Sequence, residues 1–366
     1  MPKKVHILIS GGGTGGHIFP AIAVANAIKD KLTNVDIHFV GAVGRMEMDK
    51  VPLAGYPITG LWISGLQRKL TTKNILFPLK VVSSLIKAYK IINKFKPDVV
   101  IGTGGYASGP LLYVASKKGI PTLIHEQNAL PGITNKLLGK SVNKICVSYP
   151  NMDKYFSKDK IVLTGNPIRK EILNLAPTKK ESLEFFNLRH DKKTLFIMGG
   201  SQGAKQVNIA VADNLKQILD LNLQLIWQTG KGSKHIAEEA TDGNNNIVII
   251  EFIQDMDKAY VASDFIISRA GAIAIAEIIA AKKPAIFIPL PTASEDHQTK
   301  NASTLADGNA ALLISEKNAI EELPKKIKLL VGDDELQKTI IKNLNKFIYP
   351  DAAEKITDEV IKLLKN

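Results

Sequence analysis

The chain of 366 residues has a single cysteine, Cys146. That excludes an internal disulfide framework and any metal site built from several thiolates. Within the apolar run Ile145-Cys146-Val147 it reads as inert packing. No uncharged apolar run approaches the ~18 residues that a membrane-spanning helix requires. The opening Met1-Pro2-Lys3-Lys4 leads straight into a strand pattern, so no signal peptide is expected. Acid is also missing locally. Between Asp49 and Asp98 there is none, while Lys50, Arg68, Lys69, Lys73, Lys80, Lys87, Lys90, Lys94 and Lys96 all fall there. Residues 1–165 carry 22 Lys+Arg against 8 Asp+Glu, and residues 166–366 carry 26 against 27, so the net charge of +13 sits entirely in the first half. Such a basic face suits nucleic acid, an anionic membrane or a polyanionic substrate. The stretch is aliphatic, however, with no stacking platform or recognised motif, and no nucleic-acid partner is expected.

What is present is an alternation. The length makes two α/β domains the natural expectation, and an apolar fraction of 45% is ordinary for chains with real cores. Short, β-branched apolar runs at 5–9, 36–40, 99–102, 122–125 and 144–148 read as buried parallel strands, with helical patterns at 21–31, 76–95 and 109–118 between them. The pattern breaks at Gly165-Asn166-Pro167 and then restarts. A strand at 194–198, the loop Gly199-Gly200-Ser201-Gln202-Gly203-Ala204 and a helix at 207–219 are followed by strands at 223–228, 247–250, 264–268 and 285–289. The fold class predicted is α/β, with two Rossmann-like, doubly wound parallel-sheet domains over 1–165 and 166–349 facing a deep cleft. An amphipathic helix within about 350–366 (Ile356, Val360, Leu363, Leu364) is expected to pack back on one of them.

Five loops carry chemistry. Gly11-Gly12-Gly13-Thr14-Gly15-Gly16-His17 links the first strand to the first helix. Its glycines allow close backbone approach, a helix N-terminus favours negative charge, and His17 is its one titratable side chain. Gly102-Thr103-Gly104-Gly105-Tyr106 follows another strand and reads either as a phosphate cradle or as a tight packing turn. His125-Glu126-Gln127-Asn128 places four polar residues at a strand's carboxyl end, where open sheets bind ligands. Ser268-Arg269-Ala270-Gly271 leads into Ala272-Ile273-Ala274-Ile275-Ala276-Glu277. A lone acid in that apolar stretch needs partners, as an acceptor for ribose hydroxyls or as an acid satisfied by the helix dipole. Residues 289–298, ending in His297-Gln298, form a proline-bounded polar loop in which Gln298 and Asn301 are candidates to read sugar hydroxyls.

Taken in order, the loop to His17, Gly104-Gly105-Tyr106, His125 to Asn128, Gly165-Asn166-Pro167-Ile168-Arg169, Gly199 to Ala204 and Arg269 to Glu277 resemble the MurG family of peptidoglycan N-acetylglucosaminyltransferases, glycosyltransferase family 28. The resemblance covers essentially the whole chain, and six motifs in register are specific where each alone is weak. It implies a GT-B fold and inverting transfer of N-acetylglucosamine from UDP-N-acetylglucosamine to the muramyl 4-hydroxyl of lipid I, forming lipid II for the cell wall. The enzyme would act peripherally at the cytoplasmic face of the cell membrane. Thr14, Gly15, Gly16 and Asn128 would touch the donor's sugar end, with Arg169 and Ser201 on the nucleotide and its phosphates. The backbone at Ile253 would meet the uracil, Ala272, Ile273, Ala274, Ile275 and Ala276 would line the nucleotide, Glu277 would hold the ribose, and Gln298 would read the sugar. Gly104, Gly105 and Tyr106 would take the acceptor pyrophosphate. The family often has hydroxyl residues where this chain has Ala274 and Ala276, and paired glutamines where it has Gln298-Thr299, so backbone contacts are implied there.

No metal or cofactor is expected; helix N-termini and loop amides should carry the leaving-group charge. His17 is the first candidate base, since an imidazole titrates near pH ~6.5, and Glu126 is the second. The acid-free stretch then reads as a membrane-docking surface of Trp62, Ile63, Leu66, Leu76 and Phe77 with Lys69, Lys73 and Lys80. A dinucleotide oxidoreductase would use Asp36 behind the first loop but leaves the second loop unexplained. A UDP-sugar epimerase would share the donor machinery and lack the acceptor half.

Overall fold

The structure, a computed structural model, describes residues 4–65, 75–199, 203–293 and 296–365. The chain forms two compact units, one of Met1–Ile168 with Tyr349–Asn366 and one of Arg169–Ile348.

The first unit is built on seven parallel strands: β1 (Val5–Ser10), β2 (Val35–Ala42), β3 (Ile58–Leu61), β4 (Val99–Gly102), β5 (Thr122–Glu126), β6 (Lys144–Val147) and β7 (Ile161–Leu163). Their order is β3-β2-β1-β4-β5-β6-β7. The strands read as unbroken apolar runs because both faces are covered. Ile7 and Ile9 of β1 point to the face that packs helix Gly15–Lys31, while Leu8 points to the other, under helices Phe77–Phe95 and Ser108–Lys117. Helix Ala352–Lys365 completes the first face. Its Ile356, Val360 and Leu363 join that core, and Asp358 pairs with Lys31 at 2.6 Å. The chain re-enters this unit beside Gly165, which has φ of +84° and whose missing Cβ leaves room for the ring of Tyr349.

The second unit repeats the plan with six parallel strands: β8 (Lys193–Met198), β9 (Leu223–Gln228), β10 (Ile247–Ile250), β11 (Phe265–Ser268), β12 (Ala285–Phe287) and β13 (Leu312–Leu313). The order is β10-β9-β8-β11-β12-β13. In each sheet the order reverses beside the first strand, between β1 and β4 and between β8 and β11. Loops leaving the carboxyl ends of such a pair diverge to opposite faces and open a crevice, where ligands of doubly wound sheets bind.

β3 corrects one expectation for the docking surface. Alternation along the extended chain turns Leu61 and Ile63 inward and Trp62 outward. Ile63 is 7% exposed and belongs to the core, so it is not a surface residue. Leu66, Lys69, Lys73 and Ser201 lie outside the described residues.

Candidate active site

In the first unit the crevice is formed by the loop after β1 and the loop after β4. Thr14 is the N-cap of helix Gly15–Lys31 in extended conformation, makes no side-chain cap bond, and no acid occupies the first turn. The two loops interlock. A Cβ at Gly105 would collide with the carbonyl oxygen of Gly12, and a Cβ at Gly104 would lie 2.8 Å from His17 Nδ1. Both glycines have positive φ, of +91° at Gly104 and +78° at Gly105. The tight turn is therefore required for packing, whatever else its amides bind.

His17 closes this interlock. Its Nδ1 lies 2.9 Å from the carbonyl oxygen of Thr103, and Thr103 Oγ1 donates back to the His17 carbonyl at 2.8 Å. A carbonyl can only accept, so Nδ1 carries the proton and the lone pair of the neutral ring sits on Nε2. Gln127 Nε2 donates to the same Thr103 carbonyl and contacts His125 Nδ1 at 3.2 Å. His125 Nε2 lies 3.0 Å from Gly165 O, which places its proton there.

His125 is fully buried, and burial pushes its pKa from 6.5 down to about 4, with the hydrogen bond it donates to the Gly165 carbonyl opposing the fall. The unfolded chain therefore binds this proton at higher pH than the folded one. Stability conferred by the neutral ring is complete above pH 6.5 and is lost as pH falls toward 4. The expected loss is about 3 kcal/mol over that window. Urea unfolding of the protein across it should show this slope, and His125→Gln should flatten it.

Glu126 is buried at the end of β5 with four donors on its two oxygens: Asn128 N at 3.0 Å, Asn128 Nδ2 at 3.1 Å, Gly132 N at 3.1 Å and Asn135 Nδ2 at 2.8 Å. It pins the following loop. Tyr106 packs its ring against Gly13, where a Cβ would sit 3.0 Å from Cε1, and burial raises its phenol pKa.

In the second unit the crevice lies between the loop after β8 and the loop after β11. Gly199 N donates to Gln228 O at 3.0 Å, and Gly203, with φ of +77°, passes close to Thr229 O. Helix Lys205–Asp213 begins there without a side-chain cap. Helix Ala272–Ala280 starts from Gly271, which has no side chain to cap it, and its first turn has no acid. The amides at Ala272, Ile273 and Ala274 thus present an uncapped, positive helix end. Ile275 is buried in the core, and Ala276 lies on the helix behind it.

Glu277, one turn further, is 5% exposed and is not left to the dipole. Arg169 Nε donates to Oε1 at 2.9 Å and Nη2 to Oε2 at 3.1 Å, and Tyr260 OH donates to Oε2 at 3.1 Å. Burial raises the carboxyl pKa, and the Arg169 guanidinium opposes the rise. Arg269 crosses to the next loop, donating through Nη1 to Ile288 O at 3.0 Å and Pro289 O at 3.1 Å and pairing with Glu316. Gln298 Oε1 accepts from Leu290 N at 3.0 Å, which ties helix His297–Asp307 to the same loop. Ile253 is buried between β10 and helix Met256–Ala262.

The first unit thus brings His17 against Gly104 and Gly105 and Tyr106 against Gly13, with the Thr103 carbonyl joining His17 to Gln127, while Glu126 and Asn128 form a separate cluster at the end of β5. The second gathers Arg169 with Glu277 behind the 272–276 turn. Thr103, inside the glycine motif, and Glu47, Tyr260 and Glu316 are additional members. The last three carry no sequence signal, since each is an ordinary polar residue whose partner lies elsewhere in the chain. Asp255-Met256-Asp257 has metal-motif spacing, but it opens helix Met256–Ala262 and Asp255 pairs with Lys258 at 3.0 Å. Among the described residues, no group of three or more His, Cys, Asp or Glu could hold a metal ion.

Two doubly wound sheets with glycine loops at the reversal points are an architecture of nucleotide-sugar enzymes, and comparison with known proteins gives the family. The N-terminal domain of glycosyltransferase family 28 matches residues 7–147 and its C-terminal domain matches residues 194–356. The chain belongs to glycosyltransferase family 28. It is 49% identical over 99% of its length to the UDP-N-acetylglucosamine--N-acetylmuramyl-(pentapeptide) pyrophosphoryl-undecaprenol N-acetylglucosamine transferase of Cytophaga hutchinsonii, covering 98% of that protein. It is 48% identical to the enzyme of the same name from Flavobacterium psychrophilum, covering 100% of this chain and 99% of that one. Among solved structures, Acinetobacter baumannii MurG is 31% identical, with a TM-score of 0.78 over 98% of this chain and 99% of that one.

Proposed function

We infer that the protein transfers N-acetylglucosamine from UDP-N-acetylglucosamine to the 4-hydroxyl of the N-acetylmuramyl group of lipid I, with inversion, giving lipid II and UDP. The names of full-length relatives support the substrates. The observation that carries the chemistry is the His17 ring, whose proton is held on Nδ1 by the Thr103 carbonyl so that Nε2 is the base. Nε2 takes the proton of the 4-hydroxyl as its oxygen attacks C1 of the donor sugar. The C1–oxygen bond to the β-phosphate breaks, and its electron pair leaves with UDP. The uncapped N-terminus of helix Ala272–Ala280, the 203–204 backbone and Arg169 stabilise that charge. Glu277 keeps acceptor capacity on Oε1 for a ribose hydroxyl. Backbone at Ile253 meets the uracil, and Gln298 and Asn128 serve the sugar. With four donors already on it, Glu126 acts by shaping the Asn128 loop rather than as the base. Gly104, Gly105 and Tyr106, at the head of helix Ser108–Lys117, offer amides to the acceptor pyrophosphate.

The test is UDP release from UDP-N-acetylglucosamine with and without lipid I. Release that requires the lipid is expected; conversion of the donor alone into its epimer would contradict the assignment.

The reading extends to a peripheral position on an anionic membrane. Among the described residues no helix is long and apolar enough to cross one. Helix Phe77–Phe95 buries only Ser84, Ala88 and Ile92, and exposes Leu79, Val82, Ile86 and Tyr89 at helical spacing. Leu76 and Trp62 extend this stripe, Phe77 is half-buried, and Lys80 Nζ stands 5.8 Å from the Trp62 ring. An apolar stripe turned to solvent and flanked by lysines suits a bilayer surface, where each lysine contributes about 1 kcal/mol. Leu79→Asp with Ile86→Asp should reduce binding to vesicles containing phosphatidylglycerol about tenfold or more. Equal binding of wild type to neutral and anionic vesicles would contradict the electrostatic part.

A further inference from the structure

We propose that Glu47 is the positioning residue of the first glycine loop, setting Gly12-Gly13 and, through them, the orientation of His17. The side chain is fully buried on helix Glu47–Leu53 and is satisfied by backbone amides. Its two oxygens accept from Gly13 N at 3.2 and 3.1 Å, and Oε1 also accepts from Ala42 N at 3.0 Å. Two positions give up their side chains to seat it. A Cβ at Gly12 would collide with Oε1, and one at Gly41 would lie 2.6 Å from Glu47 Cγ.

The consequence runs outward from this carboxylate. Gly12 rests on it, and the Gly12 carbonyl is the group against which Gly105 is packed without a Cβ. Gly105 and Gly104 in turn border the His17 ring, with missing Cβ positions 3.2 Å from Cδ2 and 2.8 Å from Nδ1. Thr103, one residue earlier, holds Nδ1. A shift of Gly12-Gly13 therefore moves the whole seat of His17. The Glu47 oxygens also occupy the Gly13 amide, which is therefore not offered to a ligand.

This role rests on the transferase reading, and two readouts separate their failures. In steady-state assays with lipid I, Glu47→Ala should lower kcat about 100-fold while the KM for UDP-N-acetylglucosamine stays within about threefold. Glu47→Gln keeps one carbonyl oxygen for both amides and should recover kcat to within about tenfold of wild type. Gly12→Ala should show the same kcat loss, and adding it to Glu47→Ala should cost nothing further, because the colliding carboxylate is gone. Independently of turnover, the nitrogen-15 signal of His17 Nδ1 should shift in Glu47→Ala while that of His125 stays in place.

An unmoved His17 signal with wild-type kcat in Glu47→Ala overturns the proposal. So does a folded Glu47→Gln as slow as Glu47→Ala, or full additivity with Gly12→Ala. If Glu47→Ala does not fold, Glu47→Gln and Gly12→Ala decide: a near-normal former with a slow latter supports the role, and wild-type kcat in both overturns it. Should wild type make no lipid II, the transferase reading falls, and the His17 signal still decides the role of Glu47.

Discussion

Replacing His17 with Ala is expected to lower kcat by about 10²- to 10⁴-fold while leaving donor affinity within a factor of about three. The bond from Nδ1 to Thr103 O lies within the first unit, so removal of the ring takes away the proposed proton acceptor and leaves the residues proposed for the nucleotide, which belong to the second unit, in place. Isothermal titration with UDP-N-acetylglucosamine and a steady-state assay with lipid I separate the two quantities. His17→Gln should be nearly as slow, since an amide can replace the bond to Thr103 but is not basic at neutral pH. An active His17→Ala together with an inactive Glu126→Gln would move the base to Glu126.

The second large effect is expected at Glu277. Alanine there removes the partner of Arg169 and leaves the buried Tyr260 hydroxyl with only the weak Met198 Sδ acceptor at 3.7 Å among its described partners. A buried pair broken from one side costs about 3–5 kcal/mol, and the loss here should fall below that because the Arg169 side chain is 38% exposed and can rehydrate. Charge-assisted hydrogen bonds are worth about 1.5–3 kcal/mol, so loss of the proposed ribose contact should raise the donor Kd by about 10- to 100-fold. At saturating donor, kcat should recover most of its value, the opposite split to His17→Ala. A Glu277→Ala variant that binds UDP as wild type does would show that the carboxylate serves the fold alone.

Much of this was legible in the sequence because it is local. A buried parallel strand must be an apolar run, a tight βα turn must be glycine, and each sheet opens once in that way. The strands that escaped notice, β3, β7 and β13, are two to four residues long and only partly buried, with too few positions to show a period. Ile63 differs from the surface expectation for a related reason: an apolar residue between Trp62 and a lysine-rich stretch shows its side only once the strand's alternation is known. What is remote in the chain was not legible at all. Arg169 and Glu277 lie 108 residues apart, and the resemblance implies a different part of the ligand for each. Glu47 sits in Arg45-Met46-Glu47-Met48-Asp49, which reads as an ordinary helix start. Its importance lies in the glycines at 12 and 41 that make way for it.

The most direct test of the account is the linkage in the lipid product. A single displacement with His17 taking the proton of the 4-hydroxyl converts an α-linked donor sugar into a β-linked one. Wild-type protein, UDP-N-acetylglucosamine and lipid I should therefore yield a disaccharide whose anomeric proton and long-range carbon couplings show a β-1,4 bond. An α-linked product, attachment at another hydroxyl, or label that never leaves the nucleotide sugar would contradict it.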